Sequence, residues 1–404
     1  MKLFFIAYRF FWFLIIPILL RIPRLREGAD ERCLKKISFA KVDIWIHAAS
    51  VGEAYMARQI VQSLSPEKQL KILITTNTRQ GRNILEKDFV GFSHSLTVSY
   101  MVFDAPSFVK KALQLADPKV LVLIELEIWP ALLAEIKRRR RKIIIVNGRM
   151  TAKSFKGYMR TARLWRNLVP DVILAISEAD KSRFLQLFQL QQIQHIANIK
   201  FDRLQTCTIS EKDNSAPQSL VLASIRKEEE DAVLFIIENI LTQFKNLQID
   251  LFPRHQHRIT SWQEHLKSSH ISYAIASKSP LPGTCSVIIQ DVFGELTKGY
   301  QRADAAFVGG SLADLGGQNF VEAFMNGVIP VTGPSIFNFL WTGEEVFDNG
   351  LVQKATDKEE ALQFLSNLLK NPPDKRVIQK KANNYIRSKQ GGTEETCRQI
   401  EALL

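Results

Sequence analysis

VDIWIHAASVGEA, from Val42 to Ala54, is the stretch on which the fold turns. Residues 42–47 form a short Ile- and Val-containing run of the kind that makes a buried strand, and from Ala54 the apolar period becomes helical. The joint between them carries Ser50, Gly52 and Glu53: a side chain able to cap a helix, a glycine permitting close backbone approach, and a carboxylate in the first helical turn. Strand, tight turn and helix make the unit of a parallel sheet covered on both faces. Outward from this stretch the unit recurs, with strands predicted at 71–76, 120–125, 143–147 and 172–177. The polar stretch SEKDNSAPQS at 210–219 is rich in turn residues and reads as a linker. A second series follows, with strands predicted at 220–223, 247–252, 287–289, 305–308 and 329–332. The fold class is therefore α/β, with two Rossmann-like, doubly wound domains that are expected to face one another across a cleft at their strand ends. The expected division is 1–26, 27–209, the linker, 220–385, and a C-terminal helix at 386–404 that packs on the N-terminal domain.

With 404 residues the chain is long enough for two cores, and its net charge of +13 favours an anionic partner. Nucleic acid fits the charge, but no interleaved aromatics or binding motif accompany it. Cys33, Cys207, Cys285 and Cys397 lie far apart, which points to a reducing compartment without structural metal. From Leu3 to Leu20 the sequence is apolar apart from Arg9, and Arg21, Arg24 and Arg26 follow. A helix over that stretch is ~27 Å long, barely the thickness of a bilayer core. It reads as a membrane anchor, either crossing the bilayer, kinked at Pro17 and with Arg9 snorkelling, or lying in the interface. The trailing arginines suit an anionic cytoplasmic leaflet.

Several segments carry chemistry. Glu53 fits a general base for an acceptor hydroxyl, or a carboxylate that only complements its helix dipole. Glu125-Leu-Glu127-Ile-Trp129-Pro130 ends a strand, whose alternation would put both carboxylates on one side. They form either a polar rim around a sugar or a solvated strand end. Lys153, Lys156, Arg160 and Arg163 fall on one stripe of a predicted helix, with Phe155, Met159, Ala162 and Trp165 on another. That basic face suits lipid phosphates, or solvent alone. Arg254 and His255 follow a strand, where they could hold a leaving phosphate. His257 stands near, but no third ligand makes a metal site. Gly309-Gly310-Ser311 and Gly316-Gly317-Gln318-Asn319 offer backbone amides to an anion, and Glu322, one turn into a helix, could bind ribose hydroxyls.

Taken in order, HAASVGE (His47 to Glu53), ELEIWP, VNGRM (Val146 to Met150), SEAD (Ser177 to Asp180), NIKFD (Asn198 to Asp202), PRH (Pro253 to His255), FGEL (Phe293 to Leu296), FVGGSL (Phe307 to Leu312) and GGQNFVEA (Gly316 to Ala323) resemble the Kdo (3-deoxy-D-manno-oct-2-ulosonic acid) transferases of lipopolysaccharide assembly. Gly333-Pro334 with Asn338-Phe339 completes the set. The resemblance implies a GT-B glycosyltransferase with CMP-Kdo as donor, a lipid A precursor as acceptor, no cofactor or metal, and residence at the cytoplasmic face of the bacterial inner membrane. It implies Glu53 and Glu127 as catalytic carboxylates. It also implies donor contacts from Arg254, His255, Gly294, Gly310, Asn319 and Glu322, and acceptor or sugar contacts from Ser50, Arg149, Lys153, Lys156 and Lys200. The chain departs from the family pattern at Gln318 (usually His), at Ala323 (usually Pro), and at Arg226 and Glu228, which stand where His and Gly are usual. The alternatives are a GT-B transferase for another nucleotide sugar, or a two-lobed, membrane-tethered binding protein.

Overall fold

The computed structural model describes residues 2–36, 39–65, 67, 69–87, 94–190, 192–204, 217–278 and 285–404. The chain divides into two compact units, residues 1–204 with 389–404, and residues 205–388. Each is built on a seven-stranded, wholly parallel sheet. In the first unit the strands are β1 (Ile44–His47), β2 (Lys71–Thr76), β3 (Ser95–Tyr100), β4 (Val120–Ile124), β5 (Lys142–Gly148), β6 (Val172–Ala175) and β7 (Ile193–His195), in the order β3-β2-β1-β4-β5-β6-β7. In the second they are β8 (Gln218–Ile225), β9 (Leu247–Pro253), β10 (Tyr273–Ile275), β11 (Val287–Ile289), β12 (Ala305–Val308), β13 (Pro330–Thr332) and β14 (Gln353–Lys354), in the order β10-β11-β9-β8-β12-β13-β14. Central strands such as β4, Val-Leu-Val-Leu-Ile, are buried along their whole length, as sheets covered by helices on both faces require.

The strand order reverses between β1 and β4 in the first unit and between β8 and β12 in the second. At such a switch point neighbouring connections leave in opposite directions and open a crevice at the strand C-termini. His47 lies in register with Leu123, so Glu53 and the Glu125–Glu127 turn emerge at the same crevice.

Two boundaries differ from the sequence reading. The first seven residues of the expected linker lie outside the described residues, and Gln218 and Ser219 already belong to β8. Two polar side chains disguise this strand start. Ser219 N–H donates to Asp304 at 2.9 Å, and the Gln218 amide donates to the Leu369 carbonyl at 2.7 Å. At the other end, the Lys375–Ser388 helix stays with the second unit, while the Gly392–Ala402 helix returns to the first. Cys397 and Ile400 of the returning helix join the core that contains Ala57 and Ile60. Asp202 fastens it, accepting from the N–H of Gly391 and Thr393, each at 2.7 Å, and from the Thr393 hydroxyl at 2.6 Å. Hydrogen bonds to a charged acceptor are worth ~1.5–3 kcal/mol each, and less after water replaces the acceptor. Asp202→Ala is therefore expected to cost the first unit about 2–3 kcal/mol in urea unfolding.

The Lys2–Leu19 helix runs through Pro17 and lies against the first unit. Tyr8 donates to Asp104 Oδ2 at 2.8 Å, and Trp12 is buried against Phe103. The opposite side is apolar and bare: Leu3, Ile6, Phe10 and Phe13, at intervals of three and four, are between 63% and 84% exposed. Among the described residues, no helix is long and apolar enough to cross a membrane.

Candidate active site

Ser50 caps the Val51–Ser63 helix, its Oγ accepting from Glu53 N–H at 3.4 Å. The Glu53 carboxylate folds back on the same cap, accepting the Ser50 hydroxyl at 2.7 Å and Ala49 N–H at 2.8 Å. The carboxylate thus takes the N–H of the residue before the cap and the capping hydroxyl itself, and it is left 6% exposed. Burial pushes its carboxyl up to about 7. The two cap hydrogen bonds oppose that rise, and the charges of Glu125 and Glu127 add to it. A carboxylate oxygen can accept two hydrogen bonds, so the cap leaves each oxygen a further lone pair.

Glu125 and Glu127 do not alternate along a strand. β4 stops at Ile124, and Glu125 takes a left-handed backbone at φ +59°, so the two acids sit in the turn that leads to the Pro130–Arg138 helix. They are held separately. Glu125 Oε1 accepts from Lys200 Nζ at 2.8 Å, whereas Glu127 Oε2 accepts from Trp129 Nε1 at 3.2 Å and lies 3.6 Å from His47 Nε2. His47 is fully buried at the end of β1, with Nδ1 3.1 Å from the Thr75 carbonyl. Nδ1 also lies 3.0 Å from the Thr75 hydroxyl, and Nε2 is the atom turned toward Glu127.

Lys200 is placed by two asparagines to which the sequence reading gave no role. Asn147 accepts from Ile199 N–H and Asn198 from Lys200 N–H, each at 3.0 Å. Their only sequence signal is position: Asn147 ends a strand, and Asn198 opens NIKFD. Arg149 follows β5, half-buried and without an ion-pair partner among the described residues.

The predicted basic helix breaks in two, Ala152–Met159 and Ala162–Trp165, but its stripes persist. Phe155, Met159, Ala162 and Trp165 pack on the core, while Lys153, Lys156, Arg160 and Arg163 are exposed, with no ion pair among the described residues. In the nearby run 137–142 four of the six charges are paired: Arg138 and Arg139 with Glu135, Arg141 with Asp117, Lys142 with Asp171.

In the second unit, β8 bulges at Ser224, φ +56°, and leads to Glu229. This buried carboxylate accepts from the N–H groups of Arg226 (2.9 Å), Gly310 (2.5 Å), Ser311 (3.2 Å) and Leu312 (3.4 Å). Burial raises its proton affinity, against the pull of those four donors. The Gly310 and Ser311 amides that the sequence reading offered to an external anion are thus occupied by the chain's own acid. Gly309 is required by the same contact, since a Cβ there would lie 2.4 Å from Glu229 Oε1. The second glycine pair is also engaged: Gly316 N–H donates to Ser335 Oγ at 2.9 Å, Gly317 N–H to Gly310 O at 2.7 Å, and Gln318 N–H to Gly309 O at 3.0 Å.

The free cations stand beside this loop system, at the ends of β8 and β9. Arg254 and His255 are exposed, and Arg254 N–H is tied to the Ile225 carbonyl at 2.8 Å. The His255 imidazole is held below its ordinary range, first by desolvation and then by the positive charges of Arg226, Arg254 and His257. Arg226 thus stands close to this pair, although its own Nε is 3.7 Å from a Glu228 carboxylate oxygen. Asn319 is exposed, and Glu322 accepts the Thr297 hydroxyl at 2.5 Å. Gly294 sits in an exposed turn at φ +88°.

Known proteins bear on this geometry. Residues 23–203 match the family described as 3-deoxy-D-manno-octulosonic-acid transferase (kdotransferase). The chain is 27% identical over 390 residues to a 3-deoxy-D-manno-octulosonic acid transferase of Rickettsia felis, covering 93% of this chain and 82% of that one. It is 28% identical to one of Bordetella pertussis, covering 89% and 87%. Among solved structures, a glycosyltransferase from Rickettsia africae superposes with a TM-score of 0.59 at 10% identity, over 90% of this chain and 98% of that one, which shows the two-domain GT-B fold. These matches show the chain to be similar to the Kdo transferase family, over residues 23–203 by the family description and over 89–93% of the chain by these two relatives.

Proposed function

We propose that this protein transfers Kdo from CMP-Kdo to a hydroxyl of a lipid A precursor, with inversion, at the cytoplasmic face of the bacterial inner membrane. The observation that carries the reading is Glu53: a carboxyl at the β1/β4 switch point whose proton affinity is raised to about 7. A base matched to the operating pH combines the ionised form with a useful driving force for proton transfer. The Glu53 carboxylate takes the proton of the acceptor hydroxyl. The freed electron pair forms the bond to the anomeric carbon of Kdo, and the bond from that carbon to the CMP phosphate breaks, its electrons leaving with CMP. Arg254, His255 and Arg226 stabilise the departing phosphate, the larger share of the catalysis expected of such a site. Asn319 and Glu322 hold the nucleotide, and the turn at Gly294 borders it. Glu127, oriented by His47 and Trp129, meets the sugar. Ser50, Arg149 and Lys200 line the acceptor side, and Lys153 and Lys156 meet acceptor phosphates.

Incubation with CMP-Kdo and a tetraacylated disaccharide bisphosphate should yield an acceptor heavier by one or more Kdo units in mass spectrometry. An acceptor of unchanged mass refutes the reading, and transfer from a different nucleotide sugar reassigns the donor.

The bare side of the Lys2–Leu19 helix supports a position in the membrane interface, with Arg21, Arg24 and Arg26 at the headgroups. Phe10→Glu with Phe13→Glu is expected to reduce co-sedimentation with vesicles containing anionic phosphatidylglycerol at least tenfold, because two large apolar side chains leave the bilayer.

A further inference from the structure

Between the docked N-terminal helix and the Glu127-to-Trp129 turn lies a cavity of about 430 Å³. Trp12, Leu19, Ile22, Leu25, Val102 and Trp129 form much of its wall. The volume is that of a ligand site, typically ~300–1,000 Å³. Its two inner charged groups are already satisfied. Asp104 accepts from Tyr8 and from the N–H groups of Ala131 and Leu132, both at 2.9 Å. The Arg32 guanidinium donates to the carbonyls of Glu27, Met101 and Asn77. At this inner end the hydrogen-bonding groups of Asp104 and Arg32 are already engaged, so a sugar or a phosphate gains little there, whereas an alkyl chain needs no polar partner.

Two features select the occupant. Ile22 lines the cavity and is also 46% exposed, continuing the bare apolar side of the helix, so cavity and outer apolar surface are continuous. Arg24, exposed and without an ion pair among the described residues, also lines the cavity and gives it a cation for an anionic headgroup. At the other side, the Trp129 indole donates to Glu127, which joins the cavity to the candidate active site.

We infer that this cavity seats one fatty-acyl chain of the anionic lipid acceptor, so that chain binding, besides headgroup binding, brings the acceptor hydroxyls to the Glu53 site. The inference rests on the proposed lipid acceptor, and its test separates the two. Trp12 and Trp129 both line the cavity, so bromine on an acyl chain seated there quenches their emission. Full-length protein in detergent is titrated with phosphatidic acid carrying dibrominated stearoyl chains, and the same titration is run on Leu25→Phe and Leu19→Phe, which fill the space from half-buried positions.

Saturable quenching of the wild type, weakened about tenfold in both variants, is expected. In transfer assays the variants should also lose about tenfold of the wild-type preference, in kcat/KM, for acylated over deacylated acceptor. Equal quenching in wild type and variants, or a wild type indifferent to acylation, overturns the cavity and leaves sugar transfer standing. Saturable, variant-sensitive quenching without transfer to any acceptor keeps the lipid site and overturns the proposed reaction.

Discussion

Glu53→Gln is expected to silence transfer and, at pH 8, to melt at a higher temperature than the wild type. The loss of rate follows from removing the proton acceptor, a change worth ~10²–10⁴ in kcat. The gain in stability follows from burial. Lifted from 4.5 to about 7, the Glu53 carboxyl binds its proton more tightly folded than unfolded. Between those values the folded state holds more protons, so stability falls as pH rises, and the full penalty is present above about 7. At ~1.4 kcal/mol for each tenfold change in proton affinity, the upper bound is about 3.5 kcal/mol. Glutamine keeps the shape without the charge and can still accept from Ala49 N–H, so roughly 1–3 kcal/mol should be recovered. In a unit of this size that is ~2–4 °C of melting temperature per kcal/mol.

The effect is pH-dependent in a defined direction. Well below pH 4.5 the wild-type carboxyl is protonated folded and unfolded alike, and the two proteins should melt together. The wild-type kcat/KM should rise with pH through an apparent value near 7 and then level. Coincident melting at pH 8 would show that the carboxylate carries no burial penalty. Retained turnover would remove Glu53 as the base.

Much of this architecture was legible along the chain, and what was not has a single geometric cause. Each of the ten predicted strands overlaps an observed one, and β2, β11 and β12 agree to the residue. The four that were missed, β3, β7, β10 and β14, are the four edges of the two sheets. An edge strand is paired on one side only and can be short and polar, as Ser-Leu-Thr-Val-Ser-Tyr in β3 and Gln-Lys in β14 are, so it lacks the continuous apolar run of a central strand. Strand order is likewise not a local property. His47, Glu53 and Glu127 each stand in a recognisable motif, but their meeting depends on β1 pairing with β4 across an intervening 70-odd residues, which no window of sequence displays. The N-terminal segment repeats the lesson. Its hydropathy suggested an anchor, but whether one side is already taken is decided by Tyr8 meeting Asp104 and Trp12 meeting Phe103.

Glu229→Ala is the variant expected to harm the second unit most. In sequence Glu229 is one of four consecutive acids, Glu228 to Asp231. In the fold it is the internal anion of a cradle of backbone amides, and it holds Gly310, Ser311 and Leu312 while Gly310 and Gly309 accept the Gly317 and Gln318 amides of the next loop. Removing the carboxylate strands buried N–H groups, each costing ~1–3 kcal/mol unless water enters. A total above 3 kcal/mol is expected in urea unfolding, confined to the second unit. Glutamine should not rescue it fully, because one carboxylate oxygen becomes an N–H₂ donor facing other donors. Displacement of the two loops should also weaken CMP binding by about 10–100-fold in calorimetry, since Asn319 and Glu322 follow directly on the second. An unchanged unfolding midpoint together with unchanged CMP affinity would mean that the loops are held by their glycine turns alone. Tighter CMP binding would mean that the vacated amides accept the phosphate in place of the lost acid.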